Sequence, residues 1–262
     1  MKPTICAAVA AACLVAGCKD DKDKLAPAAS ALAPAPAVPR AIKMTIDPKS
    51  ATTLSLEAPQ EKIKATTDGA AGEIDLDVRD VRASRGEVKI DLTTLRTRTF
   101  GVEAKDRTQT THARTWLEVA DGEEGPLDAT VKEANRWAVY AIRAVERTTA
   151  DDVTAIAPTR DGADEVRSLT VTTRGELLVH GRKVDRDAEV ALELRYEPGA
   201  AADKPKELRV RSTKPLRVVL AEHDVKPRDG FGKIAKGSFS LLGTKVAENA
   251  DILLDLRARP AP

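Results

Sequence analysis

Three histidines, His112, His180 and His223, are the side chains best suited to hold a metal or move a proton. They lie far apart in the chain, and none has a second histidine four residues away, so no helix-borne zinc motif is written here. The spacing assigns them milder roles. His180 sits in a turn with its imidazole on nearby backbone, His112 faces solvent on a helix, and His223 lies in a loop before Asp224. Nucleophile chemistry fares no better: Ser212 and Ser238 lack a G-x-S-x-G elbow. The run Gly230-Phe231-Gly232 has Ala235 where a dinucleotide loop needs its third glycine, and no βαβ unit surrounds it. The carboxylate pairs Glu123-Glu124 and Asp151-Asp152 read as solvated loop charge. The sequence therefore spells out no catalytic residue, metal ligand or cofactor motif, and a non-catalytic protein is expected.

Composition narrows the partners. Lys and Arg number 42 against 41 Asp and Glu in 262 residues, a formal charge of +1, so net charge drives no binding to polyanions. Aromatic residues make up 3%, too few to stack successive bases, and no nucleic-acid partner is expected. The basic stretch Lys204 to Lys214 alternates with acids and apolar residues and reads as the polar face of a strand. No sequence feature sets an oligomeric state.

All three cysteines, Cys6, Cys13 and Cys18, fall in the first 18 residues, in and just after an apolar run, Ile5 to Val15, that follows Lys2. That run is too short to span a membrane but suits the apolar region of a secretory signal. It ends in Leu14-Val15-Ala16-Gly17-Cys18, which resembles the lipobox of bacterial lipoproteins. The resemblance implies a signal peptide over 1–17, cleavage before Cys18, and acylation of Cys18 as a membrane anchor. Localisation to the bacterial cell envelope follows, on the periplasmic side of a membrane or the cell surface. The mature chain then keeps no free thiol and no disulfide. Residues 18–40 carry the anchor and an Ala/Pro-rich stretch with Pro27, Pro34, Pro36 and Pro39, which reads as a semi-rigid tether.

From residue 41 to 262 a single folded domain is expected, and its dominant period is two. Leu54, Leu56 and Ala58 alternate with polar residues, as do Ile74, Leu76 and Val78, then Val88, Ile90 and Leu92. The pattern returns over Val190–Tyr196, Leu208–Val210 and Ile252–Leu256, the signature of half-buried antiparallel strands. Asp-Gly turns at 68, 121, 161 and 229 punctuate them. One or two short helices are expected mid-chain, over 106–119 and 128–136. The fold class is thus all-β: an extended antiparallel barrel of about eight strands. A transmembrane barrel also alternates, but its aromatic girdles are missing.

Three segments resemble the YceI-like family of secreted proteins. They are the strand-turn-strand Gly175-Glu-Leu-Leu-Val-His180-Gly181, the opening Ile46-Asp47 with nearby Ser50 running to Leu56, and Ile90-Asp-Leu-Thr-Thr-Leu95 followed by 106–116. His223 to Asp229, with Phe231-Gly232, sits where the family has an Asp-Arg-x-x-F-G segment. The resemblance implies a lipocalin-like barrel whose interior holds an isoprenoid or other amphiphilic lipid. Within it, Leu54, Leu56, Ile90, Leu92, Trp116, Trp137 and Tyr140 are the expected ligand contacts. A ligand-free barrel, filled by its own side chains and serving as a structural or interaction module of the envelope, is the alternative.

Overall fold

A computed structural model of the chain describes residues 25–58, 61–122, 125–226 and 247–262. The lipobox with Cys18, the Glu123-Glu124 pair, the Asp229-Gly230 turn, Ser238 and the Phe231-Gly232 motif lie outside the described residues. Thirteen strand segments are antiparallel: β1 (Ile42–Ile46), β2 (Ala51–Ala58), β3 (Glu61–Thr67), β4 (Ala70–Leu76), β5 (Arg85–Asp91), β6 (Arg96–Thr97), β7 (Trp137–Thr148), β8 (Thr159–Asp161), β9 (Asp164–Val179), β10 (Arg182–Tyr196), β11 (Glu207–Ser212), β12 (Leu216–Val219) and β13 (Asn249–Pro260). Two helices, α1 (Glu103–Trp116) and α2 (Ala129–Asn135), interrupt them between β6 and β7. No helix of the described residues is long and apolar enough to cross a membrane.

Eight segments close an uneven ring in the order β1-β4-β5-β7-β9-β10-β11-β13, with β13 pairing back onto β1. The expectation of about eight strands is met because several segments are halves of one bent strand. Both β1 and β2 run along β13, with Ile46 opposite Ala258 and Ala51 opposite Asp255. The four residues between them turn a corner and are clipped to one residue, Arg257. Asp47 N–H donates to the Arg257 carbonyl at 2.7 Å, and Arg257 N–H donates to Ser50 Oγ at 2.9 Å. The Ile-Asp and nearby Ser of the sequence motif thus make the corner that lets one strand serve two parts of the barrel. The Asp68-Gly69 turn is a second such corner, since β3 pairs with β2 and β6 while β4 pairs with β1 and β5.

The interior divides into two halves. Away from the helices, Met44, Leu76, Leu194, Tyr196, Leu208 and Leu256 interdigitate and fill the ring. Toward α1 a second cluster, including Val179, Val218, Leu220 and Ala250, lines the wall without filling it. On the outer surface charge is consumed by cross-strand ion pairs, as in Arg209–Asp255 at 2.7 Å and Arg217–Asp251 at 2.9 Å. Each such exposed pair is worth only ~0–1 kcal/mol, so the chain's many charges give the barrel a polar outer surface without deciding its fold.

One core group runs against this economy. The Tyr196 hydroxyl is buried without a hydrogen-bond partner among the described residues, and burial pushes its phenol up to about 12. Removing an unpaired buried hydroxyl relieves its desolvation cost, so Tyr196→Phe is expected to gain about 1 kcal/mol. That appears as a rise of roughly 2–4 °C in the melting temperature of a domain this size. A fall in melting temperature would show that the hydroxyl has a partner after all.

Candidate functional site

The unfilled half of the barrel is a cavity of about 1120 Å³, above the roughly 300–1,000 Å³ usual for ligand pockets. Its side walls come from β2 and β3 (Leu54, Leu56, Ile63), the turn after β5 (Leu92, Leu95), and the far ends of β9, β12 and β13 (Val179, Val218, Ile252). Helix α1 lies across its end, and one helical face looks into it at Lys105, Gln109, His112 and Trp116. Along that face polar residues predominate in the first turns (Lys105, Thr108, Gln109 and His112, beside Ala104), and Ala113, Trp116 and Leu117 follow. An amphiphile fits such a wall, with its polar end toward the start of α1 and its tail toward the barrel.

Little apolar area holds α1 down, because its inward stripe is short. Polar clips do the positioning. Thr97 Oγ1 donates to the Asp106 carbonyl at 2.8 Å, Thr97 N–H donates to Thr110 Oγ1 at 2.9 Å, and Arg114 Nε donates to the Leu95 carbonyl at 2.8 Å. At the helix's far end Glu118 takes a positive φ of 54° and turns its carboxylate to His180. His180 and Gly181 form the two-residue turn between β9 and β10, both at positive φ as a type I′ hairpin requires. The imidazole bridges three elements: Nδ1 lies 2.9 Å from the His223 carbonyl and Nε2 lies 2.7 Å from Glu118 Oε2. The backbone bond expected of His180 is present, and the contact with Glu118 adds a link to the helix.

His223 is a correction to the sequence reading. Instead of sitting in an open loop it is fully buried, at 0% exposure. Its Nδ1 lies 3.1 Å from the Arg182 carbonyl, and Nε2 has no hydrogen-bond partner among the described residues. Burial pulls its pKa below the ordinary histidine value and keeps the ring neutral, despite backbone acceptors that favour the charged form. His112, placed in solvent by the sequence reading, lies half-buried on the cavity wall. Among the described residues no three His, Cys, Asp or Glu side chains are arranged to hold a metal ion.

Of the seven expected contacts, Leu54, Leu56, Leu92 and Trp116 line the large cavity. Ile90 and Tyr140 line a smaller void of about 100 Å³ deeper in the barrel. Ala138 and Ile252 border both spaces, which places the void at the floor of the cavity. Trp137 lines neither. It precedes Ala138 on β7 and so faces the other side of the sheet, where the Arg136 guanidinium lies 4.9 Å from its ring. Tyr140 spreads its ring over the inner face of β9 and donates to the Arg186 carbonyl at 3.0 Å; burial pushes its phenol up to about 12. The ring takes the place of a side chain at Gly175, where a Cβ would come within 2.6 Å of it. The first glycine of the Gly175–Gly181 motif is therefore a seat for Tyr140.

Residues missed from the sequence are the polar ones at the mouth, Lys105 and Gln109, and small wall residues such as Ala113 and Ala250. The signal for the first two was present in the i, i+4 spacing of Lys105, Gln109 and Ala113, which puts them on the face that carries Trp116. Nothing marks alanine as a wall residue.

No protein-family model matches the sequence, and no curated protein does. Among solved structures, a polyisoprenoid binding domain from Saccharophagus degradans superposes with a TM-score of 0.50 at 12% identity, covering 84% of this chain and 99% of that one. BcnA from Burkholderia cenocepacia is similar at a TM-score of 0.48 and 11% identity, over 81% of this chain and 98% of its own. At such identities the likeness is one of fold. The chain has the architecture of the polyisoprenoid binding domain, and the YceI-like resemblance carried by Ile46–Ser50 and Gly175–Gly181 holds at the level of that architecture.

Proposed function

We propose that this chain binds a long amphiphilic lipid of the isoprenoid type in the α1-capped half of its barrel, and carries it without chemical change. The observation that carries the proposal is the cavity itself: a large space walled mainly by Leu, Ile, Val and Ala, with polar side chains supplied chiefly by α1 and the Thr97–Thr99 segment. Burial of a tail there contributes ~0.8 kcal/mol per methylene, which gives tight binding with no reacting group. The fold it shares with a polyisoprenoid binding domain supports the same ligand class. The ligand-free alternative describes half of the interior, the part closed by Met44, Leu194 and Tyr196. The other half is hollow.

The carrier is held in the cell envelope by acylated Cys18, as its lipobox implies. Native mass spectrometry of the protein purified from membranes, followed by organic extraction, tests the ligand. A co-purified prenyl lipid is the expected result; an empty protein that also binds no added prenyl chain overturns the proposal. Cys18→Ala is expected to move the protein from the membrane to the soluble fraction, and an unchanged membrane fraction would refute the anchor.

A further inference from the structure

The loop between β6 and α1 stands at the mouth of the cavity. Among the described residues only four large apolar side chains are well exposed, and this loop carries two of them, Phe100 at 44% and Val102 at 49%. Phe100 also lines the cavity. Between them is Gly101, with no atom within 4 Å of the position a Cβ would take, so the tip projects into open space.

The base of the loop is rigid. Arg98 N–H donates to the Lys64 carbonyl at 2.8 Å, Thr99 Oγ1 donates to Gln109 Oε1 at 2.6 Å, and Phe100 N–H donates to Asp106 Oδ1 at 2.9 Å. Two apolar tips are thus presented in a fixed direction beside an opening into an apolar space. Lone exposed apolar residues need no explanation; a pair on a braced tip beside such an opening does.

Charge around the tip is mainly positive. Arg98, Lys105, Arg107 and Lys64 are exposed, and none of them enters an ion pair among the described residues. Of the carboxylates on the same stretch, Asp106 is turned back to the Phe100 N–H, which leaves Glu103 exposed. Aromatic and aliphatic tips set among cations suit an anionic bilayer surface: the apolar groups enter the headgroup boundary and the cations meet lipid phosphates.

The N-terminal attachment points the same way. Ala26 N–H donates to the Glu222 carbonyl, Ala29 N–H to the Gly181 carbonyl and Lys183 N–H to the Pro27 carbonyl. The stretch read as a free tether is thus fastened, at Ala26–Ala29, to the β9–β10 turn. By strand register that turn is at the same end of the barrel as α1 and the 100–102 tip. Eight steps of chain from Cys18 to Ala26 span at most roughly 29 Å.

We infer that the Phe100–Val102 tip docks into the anionic membrane surface and sets the cavity mouth against the bilayer, so that the lipid passes directly between membrane and barrel. The docking itself rests on the tip and its cations; the passage of lipid rests on the function proposed above.

The protein is reconstituted as it exists, in vesicles of phosphatidylethanolamine and phosphatidylglycerol with brominated acyl chains. Tryptophan emission is compared for Phe100→Trp and for Ala157→Trp, an exposed site at the opposite end of the barrel. Quenching of the added emission at position 100 is expected to exceed that at 157 by about threefold or more, and to weaken at high salt. Equal quenching at both sites overturns the inference, as does the absence of quenching at 100 in vesicles that hold the protein. A second arm uses Val102→Asp, at a side chain that is exposed and does not line the cavity. Prenyl transfer from vesicles is expected to slow about tenfold while affinity for a short prenyl probe in solution stays unchanged. Unchanged transfer overturns the inference. Selective quenching at 100 in a protein that binds no prenyl probe supports the docking and refutes the proposed ligand.

Discussion

Ala113→Trp is expected to weaken binding of a long prenyl ligand by about a hundredfold while leaving the fold intact. Ala113 lies on the inward face of α1 and borders the large cavity, so an indole there extends into open space and displaces no backbone. Three to four displaced ligand methylenes at ~0.8 kcal/mol each amount to ~3 kcal/mol, or about two powers of ten in affinity. Titration with a fluorescent prenyl ligand, alongside a melting curve, checks both halves of the statement. An unchanged affinity in a normally melting variant would place the ligand outside the cavity. A lowered affinity accompanied by unfolding would prove nothing about the site; the melting curve separates these outcomes.

Gly72→Ala carries the largest expected effect on stability. Gly72 lies in β4 opposite Val88 of β5 at a φ of 120°, which L side chains rarely adopt, and a Cβ there would sit 2.0 Å from the Glu87 carbonyl oxygen. Backbone strain and steric overlap each cost about 1–3 kcal/mol, and both apply at once. A loss of about 4 kcal/mol is expected, seen as a fall of roughly 8–16 °C in melting temperature. Gly101→Ala provides the comparison. It also has a positive φ, 64°, but open space around it, and should cost only about 1 kcal/mol. If the two variants melt alike, close approach of β4 and β5 is not what requires glycine at 72.

These two sites also mark how far the sequence could be read. Strict alternation gave away the strands of Ile74–Leu76, Val88–Ile90 and Leu192–Tyr196, because each has one wet and one buried face. Alternation failed at β7, where Val139 and Ala141 are buried as well as the inward Tyr140 is partly covered. With both faces covered, the period cannot say which side meets the cavity, and Trp137 was assigned to the wrong one. The helices were legible within three residues at each end, but not their task. The inward face of α1 carries mostly polar and small residues, so a hydrophobic stripe did not announce a cavity wall. Nor does a glycine's need for positive φ or for a neighbour's ring show in the sequence; Gly72 and Gly175 look like any other strand glycine until their partners from 15 and more residues away are placed.

Strand β13 pairs with four others, β1 and β2 on one side and β11 and β12 on the other. This sets the order in which the protein assembles. The seam joins Ile46 to Ala258, a contact spanning almost the whole chain, so the hairpins from β4 to β11 can pair before the ring closes but cannot close it themselves. Contacts of such long range are slow to form. Until β13 arrives, β1 and β11 are bare edges open to pairing with other chains, and the cavity lacks the wall that Ala250 and Ile252 supply. Under the proposed function, lipid capture is therefore the last competence the chain acquires: the strand that seals the barrel is also the one that completes the cavity.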